Sequence, residues 1–434
     1  MRTTTRRLAA ASSAVLTAAA LLAGCGSGGG GGASGADGDT LTLWTHNAGN
    51  AAEYKVVQRI VKDFNAGQSK YRVRIQAFPQ GSYNDAVVAA ASAGKLPCVL
   101  DSDGPNVPNW AWGGYLAPVD LTGSETAVAD QLPSTVGSYQ GKVYTFGHYD
   151  VALTMFARTS VLQAHKIRIP TIDSPWTREE FDSALARLKA GGRFAYPLEM
   201  GTGGSGEWLP YAYSPQLQSF GGDLIDRSEY KTADGALNSP AAVAWGEWFR
   251  SLVTKGYLAQ KSGVSPNDDF LNGKSAIEWD GSWDAAKNAA KLGDDLAILP
   301  PVDFGKGPKI GGASWQWGMS ATCANKAGAE AYLKFSRKTE YFVDFAKATG
   351  TIPATKAAAA AIPGYEAGGR YDFFSQESRR FAVVRPVTPA YPFISSVFEK
   401  TARDILAGAD VRKALDQAVR QIDSNLKSNA YYAG

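Results

Sequence analysis

The chain has 434 residues, 44% of them apolar and 20% charged, with 44 Lys+Arg against 41 Asp+Glu. Three of those arginines fall within the first seven residues, so the remainder is balanced, and nucleic-acid binding loses its usual electrostatic support. Residues 41–434 exceed what one hydrophobic core usually supports, so two lobes are expected, and no stretch after the N-terminal segment is apolar enough to span a bilayer.

In chain order, Arg2, Arg6 and Arg7 form a positive region ahead of an apolar stretch from Leu8 to Ala23. This reads as a secretory signal over residues 1–24, too short and alanine-rich for a permanent span. The tetrad Leu22-Ala23-Gly24-Cys25 resembles a bacterial lipobox, in which Cys25 would be lipidated and become the first mature residue. The alternative is an ordinary signal that happens to hold a cysteine. The Arg6-Arg7 pair leaves Sec and twin-arginine export both open. Residues 25–40 are Gly- and Ser-rich and read as a flexible tether, and no lysine follows the glycines as a phosphate-binding loop would need.

With Cys25 lipidated, Cys98 and Cys323 remain outside the cytoplasm. An oxidising compartment favours their pairing, and two separate buried thiols are the alternative. Neither cysteine has a His or Cys at metal-ligand spacing, and His46, His148 and His165 form no such set, so no metal or cofactor is expected.

"LTLWTHN" (41 to 47) reads as a buried strand running into a loop. A helix follows with Val56, Val57, Ile60, Val61 and Phe64 on one face. "YRVRIQAF" (71 to 78) alternates as a strand, a helix spans about Tyr83 to Ala93, and "CVLDSDG" (98 to 104) is a third strand. This β-α-β-α-β order predicts a parallel-sheet α/β lobe, whose ligands bind beyond the carboxyl ends of the strands. Those ends carry Trp44, His46, Asn47, Asp101 and Asp103. Residues 141–159 read as two strands around a polar break. Residues 176–192 form a helix capped by Thr177 with Glu179 and Glu180 in its first turn. Helices are predicted at 239–255, 326–348, 392–407 and 411–427.

Four stretches, in order, then carry a resemblance. "GKVYTFGHYDVALTMFARTSVL" resembles the first inter-lobe crossover of extracellular solute-binding proteins. "DSPWTREEFDSALARL" resembles their Thr-Trp-Asp-Glu helix opening. "DDFLNGKSAIEWDGSW" (268 to 283) resembles their Phe-x-x-Gly-Lys-x-Ala…Gly-x-Trp signature, and "TIPATKAA" (351 to 358) their Ile-Pro turn. The chain is thus similar to family 1, the maltose-binding-protein-like branch of ABC-transporter receptors. The resemblance implies a periplasmic-binding-protein-like α/β fold of two lobes joined by a multi-crossover hinge. It puts the N-lobe at residues 41–150 plus 316–355 and the C-lobe at 151–315 plus 356–434. Gly147-His148 departs from the family's proline before the first crossover, so the sugar's identity does not carry over.

A sugar receptor needs aromatic plates for C–H faces and polar groups for hydroxyls. Candidate plates are Trp44, Tyr83, Trp208, Trp279, Trp283, Trp315 and Trp317, of which family position favours Trp208, Trp283 and Trp315. Alternation puts Trp315 and Trp317 on one face of a strand. Each could equally be core packing. Asp101, Asp103, His148, Asp150 and Asp280 could hydrogen-bond hydroxyls, with Arg385 a further candidate. Asp101 and Asp103 could instead cap a helix, and Glu53 could reach the cleft from the first helix, although it reads more simply as a solvated first-turn acid. "GTGGSG" (201 to 206) fits G-x-G-x-x-G, but it lies mid-chain in an exported protein without a nucleotide supply. Glu278 and Asp280 share a strand face, as a glycosidase pair could, but such pairs come from separate elements that flank the bond.

The expectation is a sugar-binding lipoprotein of an ABC importer, probing a small-molecule carbohydrate and docking on membrane permease subunits. It would be a monomer without catalysis or nucleic-acid partner, held by lipid at the outer face of the cytoplasmic membrane. A receptor for a polyamine or peptide, and a secreted carbohydrate-active enzyme, are the alternatives.

Overall fold

The computed structural model describes residues 39–433 apart from 264, 265 and 313. The signal peptide, Cys25 and nearly all of the tether lie outside the described residues. Among the described residues, no helix is long and apolar enough to cross a membrane.

The β-α-β-α-β reading holds at the start of the chain. Strand Thr40–Thr45 pairs in parallel with Arg72–Ala77 on one side and Val99–Asp103 on the other. The connecting helices Ala51–Gly67 and Gln80–Ser92 carry the crossovers. Trp315–Ser320 returns from late in the chain and lies antiparallel against Val99–Asp103. Lys142–Phe146, Val136–Tyr139 and Leu116–Ala117 complete a seven-stranded mixed sheet. The second sheet has four strands, in the order Leu296–Leu299, Leu153–Arg158, Ile277–Gly281 and Leu198–Glu199. A two-stranded pair, Tyr149–Asp150 with Ile352–Pro353, stands apart from both larger sheets.

Local chemistry sets several helix starts. Thr177 Oγ1 accepts from the Glu180 amide while the Glu180 carboxylate accepts from the Thr177 amide, a complete capping box at the start of Arg178–Ala190. Val411–Ser428 buries Leu415, Val419, Ile422 and Leu426, the stripe its periodicity predicts.

The expected helix over 326–348 is instead two helices, Lys326–Phe335 and Thr339–Thr349. The break has a tertiary cause. Ser336 O lies 2.9 Å from His148 Nε2, and Arg337 O accepts from the Thr126 amide. Both carbonyls that would continue the helix are therefore bonded outside it. The fully buried Arg337 guanidinium donates to Thr126 O at 2.7 and 3.1 Å and to Gln131, and lies 4.6 Å from the Phe146 ring centre.

Cys98 and Cys323 form a disulfide, with a Cα–Cα distance of 4.5 Å across a sequence separation of 225. Cys98 lies just before Val99–Asp103, where its carbonyl accepts from the Ser320 amide, and Cys323 lies in the turn that follows Trp315–Ser320.

Candidate functional site

Three side-chain groups converge from the sequence candidates. The first stands at the carboxyl ends of the parallel strands. His46 leaves Thr40–Thr45 and places Nδ1 at 2.5 Å from Asp101 Oδ2 and Nε2 at 3.6 Å from Glu53 Oε2. Its ring stacks on Trp315 with centres 3.7 Å apart and planes at 12°. Glu53 Oε1 accepts from the Tyr149 hydroxyl at 2.8 Å. The Asn47 amide lies 3.1 Å from His46 Nε2, and the Tyr83 hydroxyl accepts from the Asp101 amide at 3.0 Å. Asp101 is 1% exposed, and its Oδ1 has no hydrogen-bond partner among the described residues.

Glu53 is 4% exposed rather than solvated. The sequence did hold the signal: positions 53, 57, 60 and 64 share one helix face, and the last three are buried apolar residues. Burial opposes a charged His46, but the Asp101 and Glu53 carboxylates outweigh it and raise the imidazole to about 10. The raised value makes the imidazolium's contribution to stability complete below the unfolded-state value near 6.5 and progressively lost as pH rises towards 10. An NMR titration of the ring should therefore show no midpoint near 6.5. A midpoint there would mean that the two carboxylates do not act on it.

The second group is an aromatic wall. Trp208, Tyr211 and Trp283 have ring centres 6.2–6.3 Å apart. Each ring lies on a glycine: a Cβ at Gly281 would come within 2.2 Å of the Trp283 ring, and one at Gly311 within 2.6 Å of Tyr211. Gly201 and Gly204, from the dinucleotide-like run, sit under Trp208 in the same way. That run is tied by Glu199, which accepts from the Met200 and Gly201 amides at 2.9 and 2.8 Å. Its glycines thus serve the close approach of an indole. Tyr211 carried no sequence signal. It is 7% exposed, and its hydroxyl has no hydrogen-bond partner among the described residues.

The third group joins the end of Val99–Asp103 to the start of helix Trp208–Phe220. Arg385, 4% exposed, sets Nη2 at 3.6 Å from Asp103 Oδ1 and Nη1 at 2.7 Å from Glu207 Oε1, with its guanidinium 5.1 Å from the Tyr211 ring centre. Glu207 also accepts from the hydroxyls of Tyr391 and Ser395. Burial raises the Asp103 carboxyl to about 6 against the pull of Arg385. Asp103 makes no side-chain cap to the turn that follows it. Asp150 is fully buried and accepts from Ser134 and Ser378 at 2.7 and 2.8 Å.

The remaining candidates lie elsewhere. Trp44 packs on Phe78. Trp317 is in the core of the first sheet with Tyr332 and Phe345, so it and Trp315 have different surroundings despite their shared register. His148 packs against Phe345 and Trp317, and burial lowers its imidazole to about 3. Its neighbour Gly147 has no room for a side chain, since a Cβ would meet Trp315 O at 2.7 Å. Trp279 packs edge-on against Phe181 in the core of the second sheet. Asp280 is 9% exposed, whereas Glu278 is fully buried and accepts from Asn267 and Asn288 amides at 3.0 Å.

Two α/β lobes with polar and aromatic groups gathered between strand ends define a solute-binding class of protein. Residues 59–369 match the family of bacterial extracellular solute-binding proteins, and the chain belongs to that family. A curated relative is an uncharacterized lipoprotein in the oleD 5' region of Streptomyces antibioticus, 28% identical over 172 residues, 38% of this chain. The match spans 37% of that relative's own length. Among solved structures, the GacH receptor of Streptomyces glaucescens, studied unliganded and with acarbose, is 21% identical with a TM-score of 0.73, over 89% of this chain and 97% of that one. The cyclic alpha-maltosyl-1,6-maltose binding protein of Arthrobacter globiformis is 22% identical with a TM-score of 0.71, over 90% and 99%. The Lmo0181 protein of Listeria monocytogenes, in complex with cycloalternan, is 17% identical with a TM-score of 0.74, over 89% and 99%. At these identities the likeness establishes a shared fold.

Proposed function

We propose that the chain is the capturing subunit of an ABC importer and that its ligand is an oligosaccharide. The observation that carries this reading is the wall of Trp208, Tyr211 and Trp283, joined through Arg385 and Asp103 to the buried His46–Asp101–Glu53 cluster. Aromatic faces suit the C–H surfaces of a sugar, and buried carboxylates suit its hydroxyls. The unpartnered Asp101 Oδ1 and Tyr211 hydroxyl are the polar atoms a hydroxyl would satisfy. The named solved neighbours with acarbose and cycloalternan bring the same substrate class.

The lobes are divided at residues 150/151, 315/316 and 355/356. The four-stranded sheet falls wholly within 151–315, which supports that division. Anchoring through Cys25 is supported by the lipoprotein relative. We read the chain as a monomeric receptor rather than a hydrolase, the latter because Glu278 is sealed from solvent and shares one strand with Asp280.

Titration of intrinsic tryptophan fluorescence with maltose, maltotetraose, trehalose and acarbose, with spermidine included, tests the reading. Saturable binding of a sugar supports it, while stabilisation by spermidine and by no sugar overturns the substrate class. Trp283→Ala and Trp315→Ala should each cost about 1.5–3 kcal/mol of sugar affinity, roughly ten- to hundredfold, with the fold retained. An unchanged titration of either variant removes that residue from the site.

A further inference from the structure

Helix Val107–Trp112 follows the strand end that carries Asp103 and packs on the side of the seven-stranded sheet. Trp110, 2% exposed, shares a core there with Leu100, Val107 and Tyr144. Two positions further on, a rotation of about 200° turns Trp112 away from that core, and it is 41% exposed. Its ring meets Tyr432, with centres 5.0 Å apart and planes at 72°. Tyr432 belongs to the other side of the molecule. It follows helix Val411–Ser428 and packs against the separate core that holds Leu415, Val419, Ile422 and Leu426. Its hydroxyl donates to Asn425 Oδ1 at 2.8 Å.

This is the third contact between residues 103–112 and the second core. Asp103 meets Arg385 at 3.6 Å, and Asn109 Nδ2 donates to Pro389 O at 2.7 Å. The first contact is part of the sugar site, whereas the second and third lie outside it.

The backbone of the turn is a separate observation. Ala430, Tyr431 and Tyr432 hold φ of 47°, 56° and 54°, the left-handed region that residues with a Cβ seldom enter. Local preference therefore opposes this conformation, and contacts outside the turn hold it. Those contacts are the bond to Asn425 and the ring of Trp112.

We propose that the Trp112–Tyr432 contact is a latch that keeps the two lobes together before any ligand arrives. Its effect on sugar entry rests on the receptor reading, in which sugar passes between lobes that open about a hinge. A latch present in both the free and the loaded chain must break for sugar to enter and again for it to leave. Loss of the latch therefore speeds both steps. Loss of a residue that touches sugar speeds only release. An edge-on aromatic pair shifts an equilibrium by roughly two- to tenfold.

The test measures association and dissociation of maltotetraose and of acarbose with the full chain by stopped-flow tryptophan fluorescence. Small-angle X-ray scattering of the ligand-free chain gives its radius of gyration. Tyr432→Ala should raise the dissociation rate by about two- to tenfold and the association rate by a smaller factor. The Kd then rises only about two- to threefold, and the ligand-free radius grows. Trp112→Ala should do the same, and the double variant should add nothing, since one contact is lost in all three. Tyr432→Phe, which keeps a ring on Trp112, should recover most of the parent's rates. Circular dichroism confirms that the variants fold. An unchanged radius in both single variants overturns the latch. Association no faster than the parent's also overturns it, and slower association assigns the pair to the path of the sugar. A larger radius in a chain that binds no sugar leaves the latch standing and overturns the receptor reading alone.

Discussion

Arg385→Met should destabilise the protein by about 3–5 kcal/mol, the usual penalty when one partner of a buried ion pair is removed. Arg385 neutralises two carboxylates, Asp103 at 3.6 Å and Glu207 at 2.7 Å, and is 4% exposed. Methionine matches the length of the aliphatic stem but leaves both acids without a counter-charge. Asp103 already stands at about 6, raised by burial with Arg385 pulling the other way, so loss of the guanidinium pushes it further up. A folded-state value above the unfolded one gives stability that is complete at low pH and lost as pH rises through the folded value. The deficit of the variant should therefore shrink when urea unfolding is repeated near pH 4. Adding Asp103→Asn and Glu207→Gln should recover part of the loss at neutral pH, since the uncompensated charges are then gone. A urea midpoint equal to that of the parent at pH 7 would show that the network contributes nothing to the fold.

Replacement of both Cys98 and Cys323 by alanine should cost about 5 kcal/mol in the chain-entropy model, because the bond closes a loop with a sequence separation of 225. Structure retained in the unfolded chain lowers that figure, so it is an upper value. The two residues flank adjacent strands of the seven-stranded sheet, Cys98 before the start of Val99–Asp103 and Cys323 in the turn after Trp315–Ser320, at the opposite end of Val99–Asp103 from Asp101 and Asp103. Loss of the bond should lower the unfolding midpoint while leaving the sugar titration nearly unchanged. Equal midpoints for the oxidised and alanine forms would place its contribution near zero. A large loss of sugar affinity would show that the bond also sets the strand ends at the site.

Much of the site was legible because it follows from local rules. Ligands of open α/β sheets bind beyond the strand ends, which marked His46, Asn47, Asp101 and Asp103 as candidates, and the structure brings His46, Asn47 and Asp101 together. Strand parity puts Trp279 on the opposite face from Glu278 and Asp280, yet it was read as a candidate plate, and the structure packs it in the core against Phe181 instead. Glu53 was legible in its spacing with Val57, Ile60 and Phe64, although charge argued the other way. Tyr211 and Glu207 were not, because nothing within a helix says which neighbouring glycine or distant arginine it will meet.

The sequence by itself determined the periodic elements, the Thr177 cap, the parallel start of the first lobe and the order of motifs that marks the family. Each of these rests on residues within a few positions of one another, so spacing suffices. The tertiary structure bears out the Cys98–Cys323 pairing that the sequence favoured, and it alone decided that the stretch 326–348 breaks where the Ser336 and Arg337 carbonyls bond to His148 and Thr126. It also decided that Arg385 joins Asp103 to Glu207, and that Trp317 packs inward while Trp315 stacks on His46. Those outcomes depend on sheet twist and on partners mostly more than a hundred residues away, whose burial and charge no local pattern encodes.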